Sequence, residues 1–419
     1  MMSQTEMLLR RRTRKAVAMI LMWLSAPLQV IALMVIRVIR PWYLVRIGWI
    51  NSTRIGHMAA NMELRLCAID AGICKPHGRY LDIWCCTQEH ACNEQLLKMW
   101  KRRVPVFPRW SLTILAHLNL RLKGGEVHHL DQYTDRDIHN LLDVTQPHLS
   151  FTKQEEELGR QELVKIGVPE GSKFVCLVVR DSSYLNYVYG NSNWQYHNHR
   201  DSDIQSYVLA AEALAAHGFY VLRMGAKVHA AINSSNPKVI DYAANGMRSD
   251  FMDIYLGAKC AFCISTSTGF DAVPLIFRRP IVYVNMVPPG WLFTFSKRFL
   301  AITKHHFSIQ ENRELALCEI FAKGVGFCTS NSEYQAKGVR LIDNTPEEIR
   351  DVVIEMAKRL DGEWAPQKDD DVLQSKFWAN FPVNASWPNG VPYHGKIHSR
   401  YGADFLRNNQ WWLVSNEPT

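Results

Sequence analysis

Residues 261–284 constrain the fold of this chain more than any other stretch. Positions 261–264 are apolar and strand-like, 265–269 form a polar turn, and a short helix is expected to open near Phe270, ahead of a second apolar run. Parallel strands need a crossover of this kind, with the helix packed on the face of the sheet. The stretch therefore predicts an α/β fold built on a parallel sheet.

The same turn is a predicted anion site. The hydroxyls of Ser267 and Thr268 and the flexible backbone of Gly269 precede a helix whose first N–H groups have no partner within it. Asp271 lies in the first helical turn, where a carboxylate suits the helix dipole and can reach a ribose hydroxyl. An ordinary crossover in which serine and threonine cap the helix accounts for the same residues, so both interpretations stay open.

Length and charge bound the class of protein. A chain of 419 residues exceeds one ordinary core and predicts two domains with appended segments. The formal net charge is +8, and basic residues concentrate near the N-terminus at Arg10, Arg11, Arg12, Arg14, Lys15, Arg37, Arg40 and Arg46. Because they flank an apolar segment, and no basic stripe with interleaved aromatic residues occurs elsewhere, they favour an anionic membrane surface over nucleic acid.

The ten cysteines lack the dense spacing of a disulfide-stabilised domain, which indicates a reducing compartment. Cys260 and Cys263 form a C-x-x-C pair, but the pair stands alone and lies at a predicted buried strand. Packing is therefore favoured over zinc or redox chemistry, and the adjacent Cys85 and Cys86 are interpreted in the same way.

Residues 16–36 are uncharged over 21 positions, which is long enough to cross a bilayer as a helix. Basic residues on both sides predict that both ends stay on the cytoplasmic side. Pro27 near the middle offers a break, because proline removes a helical hydrogen bond. We therefore expect a monotopic or re-entrant anchor rather than a span, with Trp42 and Tyr43 at headgroup depth. A helix buried in the protein core is the remaining alternative.

Two successive α/β series follow this segment. Strand-like runs are expected at 44–51, 80–85, 104–107, 174–179, 220–224 and 239–241, and helices at 204–217, at 250–259 and from Thr345. The predicted divisions are an anchor at 1–43, a first domain at 44–168, a second at 169–370, and a tail at 371–419 that packs back on the domains.

Doubly wound sheets bind ligands outside the carboxyl ends of their strands. Two Rossmann-like domains facing a cleft, with ligands at strand-to-helix turns, constitute the GT-B architecture. The predicted fold class is therefore α/β of the GT-B type, with an N-terminal membrane-associated helix.

Several motifs together resemble a family of bacterial glycosyltransferases associated with surface-polysaccharide biosynthesis. They are RIGHMAANMELRL (54–66), VVRDSSYL (178–185), HNHRDSD (197–203), STSTGFDAVPLIFRRPIVYVN (265–285), DNTPEEIRDVVIEMAKRL (343–360) and SRYGADFLRNNQWWL (399–413). The resemblance covers nearly all of the chain after residue 45. It implies a nucleotide-sugar donor bound mainly by the second domain and an acceptor placed by the first.

Transfer from a nucleotide-diphosphate sugar requires neutralisation of the leaving pyrophosphate, and fixed donors in a cleft provide it. The turn residues Ser267, Thr268, Gly269 and Asp271 are the first candidates. The others are Arg180 after the predicted strand 174–179, Arg223 and Lys227 around the turn at Gly225, and Asp250, in an expected base-recognition turn at 245–250. A salt bridge to Asp181 is the structural alternative for Arg180. We expect no cofactor and no metal, since GT-B enzymes usually act without one.

The acceptor hydroxyl must lose a proton, and a histidine or carboxylate is the usual base. The candidate catalytic residues are His57, Asp181 and, from the 197–203 cluster, Arg200. In the alternative interpretation, Ser202 or Asp203 caps a helix and the histidines are exposed. His197 and His199 are too few for a metal site without further ligands.

The sequence thus predicts a glycosyltransferase at the cytoplasmic face of the plasma membrane, peripheral or monotopic through residues 16–36. Its expected partners are a nucleotide sugar, a lipid-linked or glycan acceptor and the membrane surface, without nucleic acid. A nucleotide-sugar epimerase of the same fold and a non-catalytic membrane-associated scaffold are the alternatives.

Overall fold

The computed structural model describes Thr13 and residues 16–131, 133–183 and 195–414, without the side chains of 195–197. Contacts divide the chain into two compact units. Unit 1 comprises Met1–Asp135 with His148–Ser150, and unit 2 comprises Arg136–Pro147 with Phe151–Thr419. Of the N-terminal basic residues, Arg10, Arg11, Arg12, Arg14 and Lys15 lie outside the description.

Unit 1 is an α/β unit built on a four-stranded parallel sheet in the order β3-β2-β1-β4. Its elements are α1 (Ala16–Leu24), α2 (Ala26–Ile39), β1 (Leu44–Ile50), α3 (Ile55–Asp70), β2 (Tyr80–Cys86), α4 (Glu94–Arg103), β3 (Val106–Phe107), α5 (Arg109–Arg121) and β4 (His129–Leu130). Strands β2 and β3 extend the sheet on one side of β1, and β4 pairs with β1 on its other side. The carboxyl ends of β1 and β4 therefore form a topological switch point.

The predicted apolar segment is a bent helix pair. Helices α1 and α2 meet at Ser25 with an angle of 55°, next to Pro27. In the described part of the chain, no individual helix has the length and apolar composition to cross a bilayer, and this pair meets those two criteria only when taken together.

One face of α2 belongs to the core of unit 1. Leu33 and Ile36 are buried in a cluster with Ile47 of β1 and Leu112 of α5. Gln29 fixes the contact, since its carboxamide donates to the carbonyl oxygen of Trp110 at 2.9 Å and accepts from two backbone N–H groups of α5. The opposite face is exposed and apolar: Leu28 is 69%, Ile31 59% and Val35 49% exposed.

Unit 2 holds a seven-stranded parallel sheet in the order β14-β10-β9-β8-β5-β6-β7, and a three-stranded antiparallel sheet in the order β12-β11-β13. Its strands are β5 (Phe174–Val178), β6 (Tyr220–Arg223), β7 (Val239–Ile240), β8 (Cys263–Ser265), β9 (Ile281–Met286), β10 (Phe299–Thr303), β11 (His305–Ser308), β12 (Arg313–Glu314), β13 (Val339–Ile342) and β14 (Arg400–Tyr401). The strand order reverses between β5 and β8, which is the switch point of a doubly wound sheet.

The helices of unit 2 are α6 (Lys153–Ile166), α7 (Val208–Ala216), α8 (Asp250–Lys259), α9 (Ala272–Ile276), α10 (Leu317–Ala322), α11 (Asn331–Ala336), α12 (Pro346–Asp361), α13 (Asp370–Asn380) and α14 (Ala403–Asn408). The predicted helix starts are confirmed for α8 and α12, and Thr345 and Glu348 form the expected capping box. The predicted helix at 204–217 begins as a 3₁₀ turn at Ile204–Tyr207 and continues as α7.

The division between the units differs from the one expected at residue 168. Residues 151–168 belong to unit 2, because α6 packs on α8. The Nζ of Lys259 lies 2.7 Å from an Oε of Glu156, and the ring of Phe151 lies 5.3 Å from that of Tyr255. Val168, which precedes a Pro-Glu-Gly sequence typical of a linker, is fully buried. The expected tail supplies β14, the strand next to β10 at the edge of the sheet.

Candidate active site

The switch point of unit 2 joins two of the predicted turns. Val178 at the end of β5 pairs with Ser265 at the end of β8, so the residues that follow both strands emerge at one edge of the sheet. The backbone N–H of Arg180 donates to Oγ1 of Thr266 at 2.8 Å. This bond ties the Arg180 turn to the 265–271 turn.

The 265–271 turn is held by its own side chains. The hydroxyl of Ser265 donates to a carboxylate oxygen of Asp271 at 2.8 Å and accepts from the backbone N–H of Thr268 at 3.3 Å. Ser267 has a positive φ of 60°, and a 3₁₀ turn at Gly269–Asp271 leads into α9. Asp271 is buried against Ser265, so this carboxylate shapes the turn, a role that the sequence analysis did not give it.

Arg200 reaches the turn from the 197–203 cluster. Its Nη2 donates to the backbone carbonyl oxygen of Ser267. Its Nε is buried without a hydrogen-bond partner among the described residues, as is Oγ1 of Thr268. Burial lowers the pKa of Arg200 to about 10, and the nearby charge of Arg180 acts in the same direction. A negatively charged ligand bound next to Arg200 would stabilise its guanidinium.

Arg180 completes the charge arrangement. Its Nε lies 3.1 Å from an Oδ of Asp201, so Arg180 forms a salt bridge with this carboxylate, whereas the structural alternative considered from the sequence was a salt bridge with Asp181. Burial raises the pKa of Asp201 against the opposing effect of Arg180. Two guanidinium groups therefore stand near one sheet edge, and the partly desolvated carboxylate of Asp201 pairs with one of them, that of Arg180. Paired arginines of this kind suit the oxygens of a phosphate or diphosphate.

A buried polar network, which the sequence analysis missed, holds the 200–202 segment in place. Lys304 is buried and donates to the carbonyl oxygen of Asp201, while it pairs with Asp343, both at 2.7 Å. The hydroxyl of Ser202 donates to Asp343 at 2.7 Å and accepts from the carboxamide of Asn285 at 3.0 Å. The available signal was positional for Lys304, which directly follows β10, a buried strand of the parallel sheet, since polar residues after such strands mark this edge. Asp343 follows β13 of the antiparallel sheet, to which this rule does not apply.

Arg223 and Asp181 lie together but support a loop instead of the Arg180–Arg200 pair. Arg223 is fully buried, with Nη1 3.4 Å from an Oδ of Asp241 and Nη2 donating to the carbonyl oxygen of Ala230 at 3.0 Å. Asp181 accepts from the backbone N–H groups of Ser183 and His229, each at 2.9 Å. These contacts tie the loop after β6 to the turn after β5.

The remaining residues predicted to bind the nucleotide-sugar donor lie in the loop after β6 and at the start of α8. Gly225 lies in the loop after β6, where a Cβ would stand 2.6 Å from Val228, and Lys227 is exposed nearby. Asp250 opens α8, 3.8 Å from Arg248. The side chain of His197 lies outside the description.

A small cleft lies at the switch point of unit 1. Its walls include Trp49, Asn51, His57, Asn61, Arg65, Trp84 and Tyr133. His57, Asn61 and Arg65 follow one another at four-residue spacing along one face of α3, and Nδ1 of His57 lies 3.4 Å from Oδ1 of Asn61. Arg65 donates to the carbonyl oxygen of Asp131 at 2.7 Å. Of these three residues only His57 was predicted from the sequence, although Asn61 and Arg65 follow it at helical spacing.

Comparison with known proteins gives distant likenesses only. No protein-family profile and no curated protein matches the chain. Among solved structures, the chain is similar to the ADP-heptose lps heptosyltransferase II of E. coli, with 14% identity, a TM-score of 0.41 and coverage of 75% of this chain and 98% of that one.

A family 9 glycosyl transferase from Veillonella parvula gives 10% identity, a TM-score of 0.40 and coverage of 76% and 98%. The E. coli heptosyltransferase WaaC with ADP-2-deoxy-2-fluoro heptose gives 9% identity, a TM-score of 0.32 and coverage of 62% and 93%. At such values the likeness does not bear on activity, which has to be argued from the two switch-point sites.

Proposed function

We propose that this protein is a glycosyltransferase of the GT-B type that moves a sugar from a nucleotide-diphosphate donor to a lipid-linked or envelope glycan. The pair of guanidinium groups from Arg180 and Arg200, at the switch point of the seven-stranded sheet, is the observation that carries the proposal. Doubly wound sheets bind nucleotides at this position, and a diphosphate supplies the negative charge that two partly buried cations favour.

The donor's diphosphate would lie against Arg180, Arg200 and the 266–269 turn. As the bond from the sugar to the diphosphate breaks, negative charge grows on the leaving oxygen, and fixed cations in a partly desolvated site stabilise that charge more than water does. The salt bridge between Arg180 and Asp201 and the Lys304 network hold the cations in position before the donor arrives. In this proposal Arg200 acts on the phosphates and takes no part in proton transfer.

The acceptor would bind at the unit 1 cleft, with His57 as the general base. His57 is half-buried, and its Nδ1 faces Asn61, which leaves Nε2 as the nitrogen to accept the acceptor's proton. Asp181 is a weaker candidate, since both of its oxygens accept backbone N–H groups.

We further propose attachment to the cytoplasmic face of the plasma membrane through α1 and α2. The inner face of α2 packs on unit 1, and the outer face presents Leu28, Ile31 and Val35 to solvent. Trp42, at 74% exposure, extends this surface beyond the helix. An apolar face of this kind suits the interface of a bilayer, and an enzyme held there meets lipid-linked acceptors directly.

Isothermal titration calorimetry with a panel of nucleoside diphosphates and their sugars tests the proposal. We expect one nucleotide to bind, and Arg180→Ala and Arg200→Ala each to weaken it about 30-fold or more, because truncating one partner of a desolvated charge pair costs about 2 kcal/mol or more. Arg160→Ala, on the exposed face of α6, is the matched control.

The circular-dichroism spectra of all variants should be unchanged. Absence of binding across the whole panel would overturn the proposal in favour of a scaffold. Conversion of the bound sugar to its epimer without transfer would identify an epimerase.

A further inference from the structure

A cluster of metal-ligating side chains lies in unit 1, on the face of α3 beyond the His57 cleft. Glu63, Cys67 and Asp70 recur at helical spacing, and His148 meets them from the His148–Ser150 segment that belongs to this unit. Glu63 and Cys67 are fully buried, and the side chain of His148 is 5% exposed. A carboxylate, a thiol and an imidazole therefore meet in a dry environment.

The donor atoms have the spacing of a metal site. An Oε of Glu63 lies 3.1 Å from Nδ1 of His148 and 3.8 Å from Sγ of Cys67, and one ligand atom from each of the three residues lies within 4.8 Å of the others. Bonds of zinc to sulfur, nitrogen and oxygen in tetrahedral geometry place neighbouring donors roughly 3.3–3.8 Å apart. Small side-chain adjustments thus bring all three donors to one ion.

His148 is oriented as metal-bound histidines are. Its Nε2 lies 2.9 Å from a carboxylate oxygen of Asp70, which holds the proton on Nε2. Nδ1 then points toward Glu63 and Cys67. A carboxylate behind the imidazole is the usual outer partner of a zinc-bound histidine, because it fixes the tautomer and raises the basicity of the ligand.

We propose that Glu63, Cys67 and His148 bind one divalent transition-metal ion, with Zn²⁺ favoured by the mixture of thiolate, imidazole and carboxylate and with water as the fourth ligand. On binding, the Cys67 thiol releases its proton and the sulfur donates an electron pair to the ion, without redox change. Any proton on Nδ1 of His148 is released as well. The ion ties the 148–150 segment to α3, a structural role independent of the proposed transferase activity.

Cobalt substitution in the full-length protein tests this site. After removal of metal with a chelator, Co²⁺ should bind at one equivalent per chain and give the charge-transfer absorption of a thiolate–cobalt bond, which Zn²⁺ then abolishes by displacement. Cys67→Ser and His148→Gln should eliminate that absorption. Cys74→Ser, a cysteine four residues past the end of α3, should retain it.

Asp70→Asn provides a test that does not depend on altering the buried core, since the Asp70 side chain is 56% exposed. We expect the same stoichiometry with metal affinity reduced about 10- to 100-fold, as is typical when an outer carboxylate is lost. Unchanged affinity in this variant, a thiolate band that survives Cys67→Ser, or no Co²⁺ binding by the folded protein would each overturn the proposal and leave a His148–Glu63 ion pair alone.

Discussion

The two switch-point sites differ in how visible their residues are from sequence. Arg180, Ser267 and Thr268 follow apolar strands directly, so position alone selects them. Asp271 was predicted from its place in the first helical turn to reach a ribose hydroxyl, but its carboxylate accepts a hydrogen bond from Ser265 inside the turn. Neighbouring positions in a sequence show which residues emerge together; they do not show which way a short side chain turns.

Lys304 and Asn285 contact the candidate site but were not predicted from the sequence. Each lies at the carboxyl end of its own strand and meets the Arg200 segment only because the sheet brings β9 and β10 within reach of it. Such contacts span more than 80 residues of chain, and no local pattern encodes them. The contacts of the supporting network were therefore not predictable from the sequence, although the position of Lys304 after an apolar run marks that residue, whereas the Arg180 and 265–271 turns were predicted.

At the residue scale, His57→Gln tests the assignment of the general base. Glutamine keeps a hydrogen-bonding side chain of similar length and removes the basic nitrogen, so we expect the rate of sugar transfer to fall about 10²-fold or more. Donor affinity should be unchanged, because His57 belongs to the unit 1 cleft. Kinetics and titration calorimetry on the same preparation measure the two quantities.

His77→Gln, at an exposed position of unit 1, is the control for the same chemical change. Retained turnover in His57→Gln would remove this histidine from the mechanism. Parallel loss of donor binding would show that it acts on the donor instead of the acceptor.

Helices with strong capping signals were the most predictable elements. Thr345, Pro346 and Glu348 specify the start of α12 locally, and Ser249 specifies that of α8 through its bond to the N–H of Met252. The antiparallel strands β11, β12 and β13 were missed. β11 and β12 are short and polar, and β13 has only four residues, so none has a strong strand pattern of its own.

The packing of α6 on α8 gives the prediction at the element scale. A Cβ at Gly159 would stand 2.1 Å from the ring of Tyr255, a buried side chain that cannot withdraw. Gly159→Ala gains up to about 1 kcal/mol of helix propensity, but overpacking costs roughly 1–3 kcal/mol. We expect net destabilisation of about 1–2 kcal/mol, seen as a lower urea midpoint.

Gln161→Ala, on the exposed face of the same helix, should leave that midpoint nearly unchanged. A raised midpoint in Gly159→Ala would mean that α6 does not pack on α8 as described, and would favour the predicted assignment of residues 151–168 to the first domain.

At the scale of the whole molecule, the repeated α/β pattern predicted two Rossmann-like units. In both parallel sheets the first four strands along the chain are arranged in the order 3-2-1-4: β3-β2-β1-β4 in unit 1 and β7-β6-β5-β8 in unit 2. The path of the chain between them was not predictable. Arg136–Pro147 belongs to unit 2, His148–Ser150 returns to unit 1, and Phe151 opens unit 2 again. A segment of three residues is too short to show a periodic pattern. The contacts of His148 with Glu63 and Asp70 are apparent only from the structure.

Deletion of the N-terminal helices cannot test whether they bind a membrane. Removing residues 1–40 would strip Leu33 and Ile36 from the core of unit 1 and leave the backbone groups that Gln29 satisfies without their partner. Loss of membrane binding in such a deletion would be indistinguishable from misfolding. Substitutions on the outer face avoid this problem, since that face makes no core contact.

We expect the triple variant Leu28→Ser, Ile31→Ser and Val35→Ser to partition at least about tenfold less strongly to anionic phospholipid vesicles. The reason is that each substitution removes about 1 kcal/mol or more of the free energy gained by burying an apolar side chain in the bilayer interface. Serine at three exposed apolar positions of unit 2, Leu158, Val164 and Val372, is the matched control. Sedimentation with vesicles measures partitioning, and donor binding confirms that each variant is folded. Equal sedimentation of the triple variant and the control would contradict attachment to the membrane through the exposed face of α2.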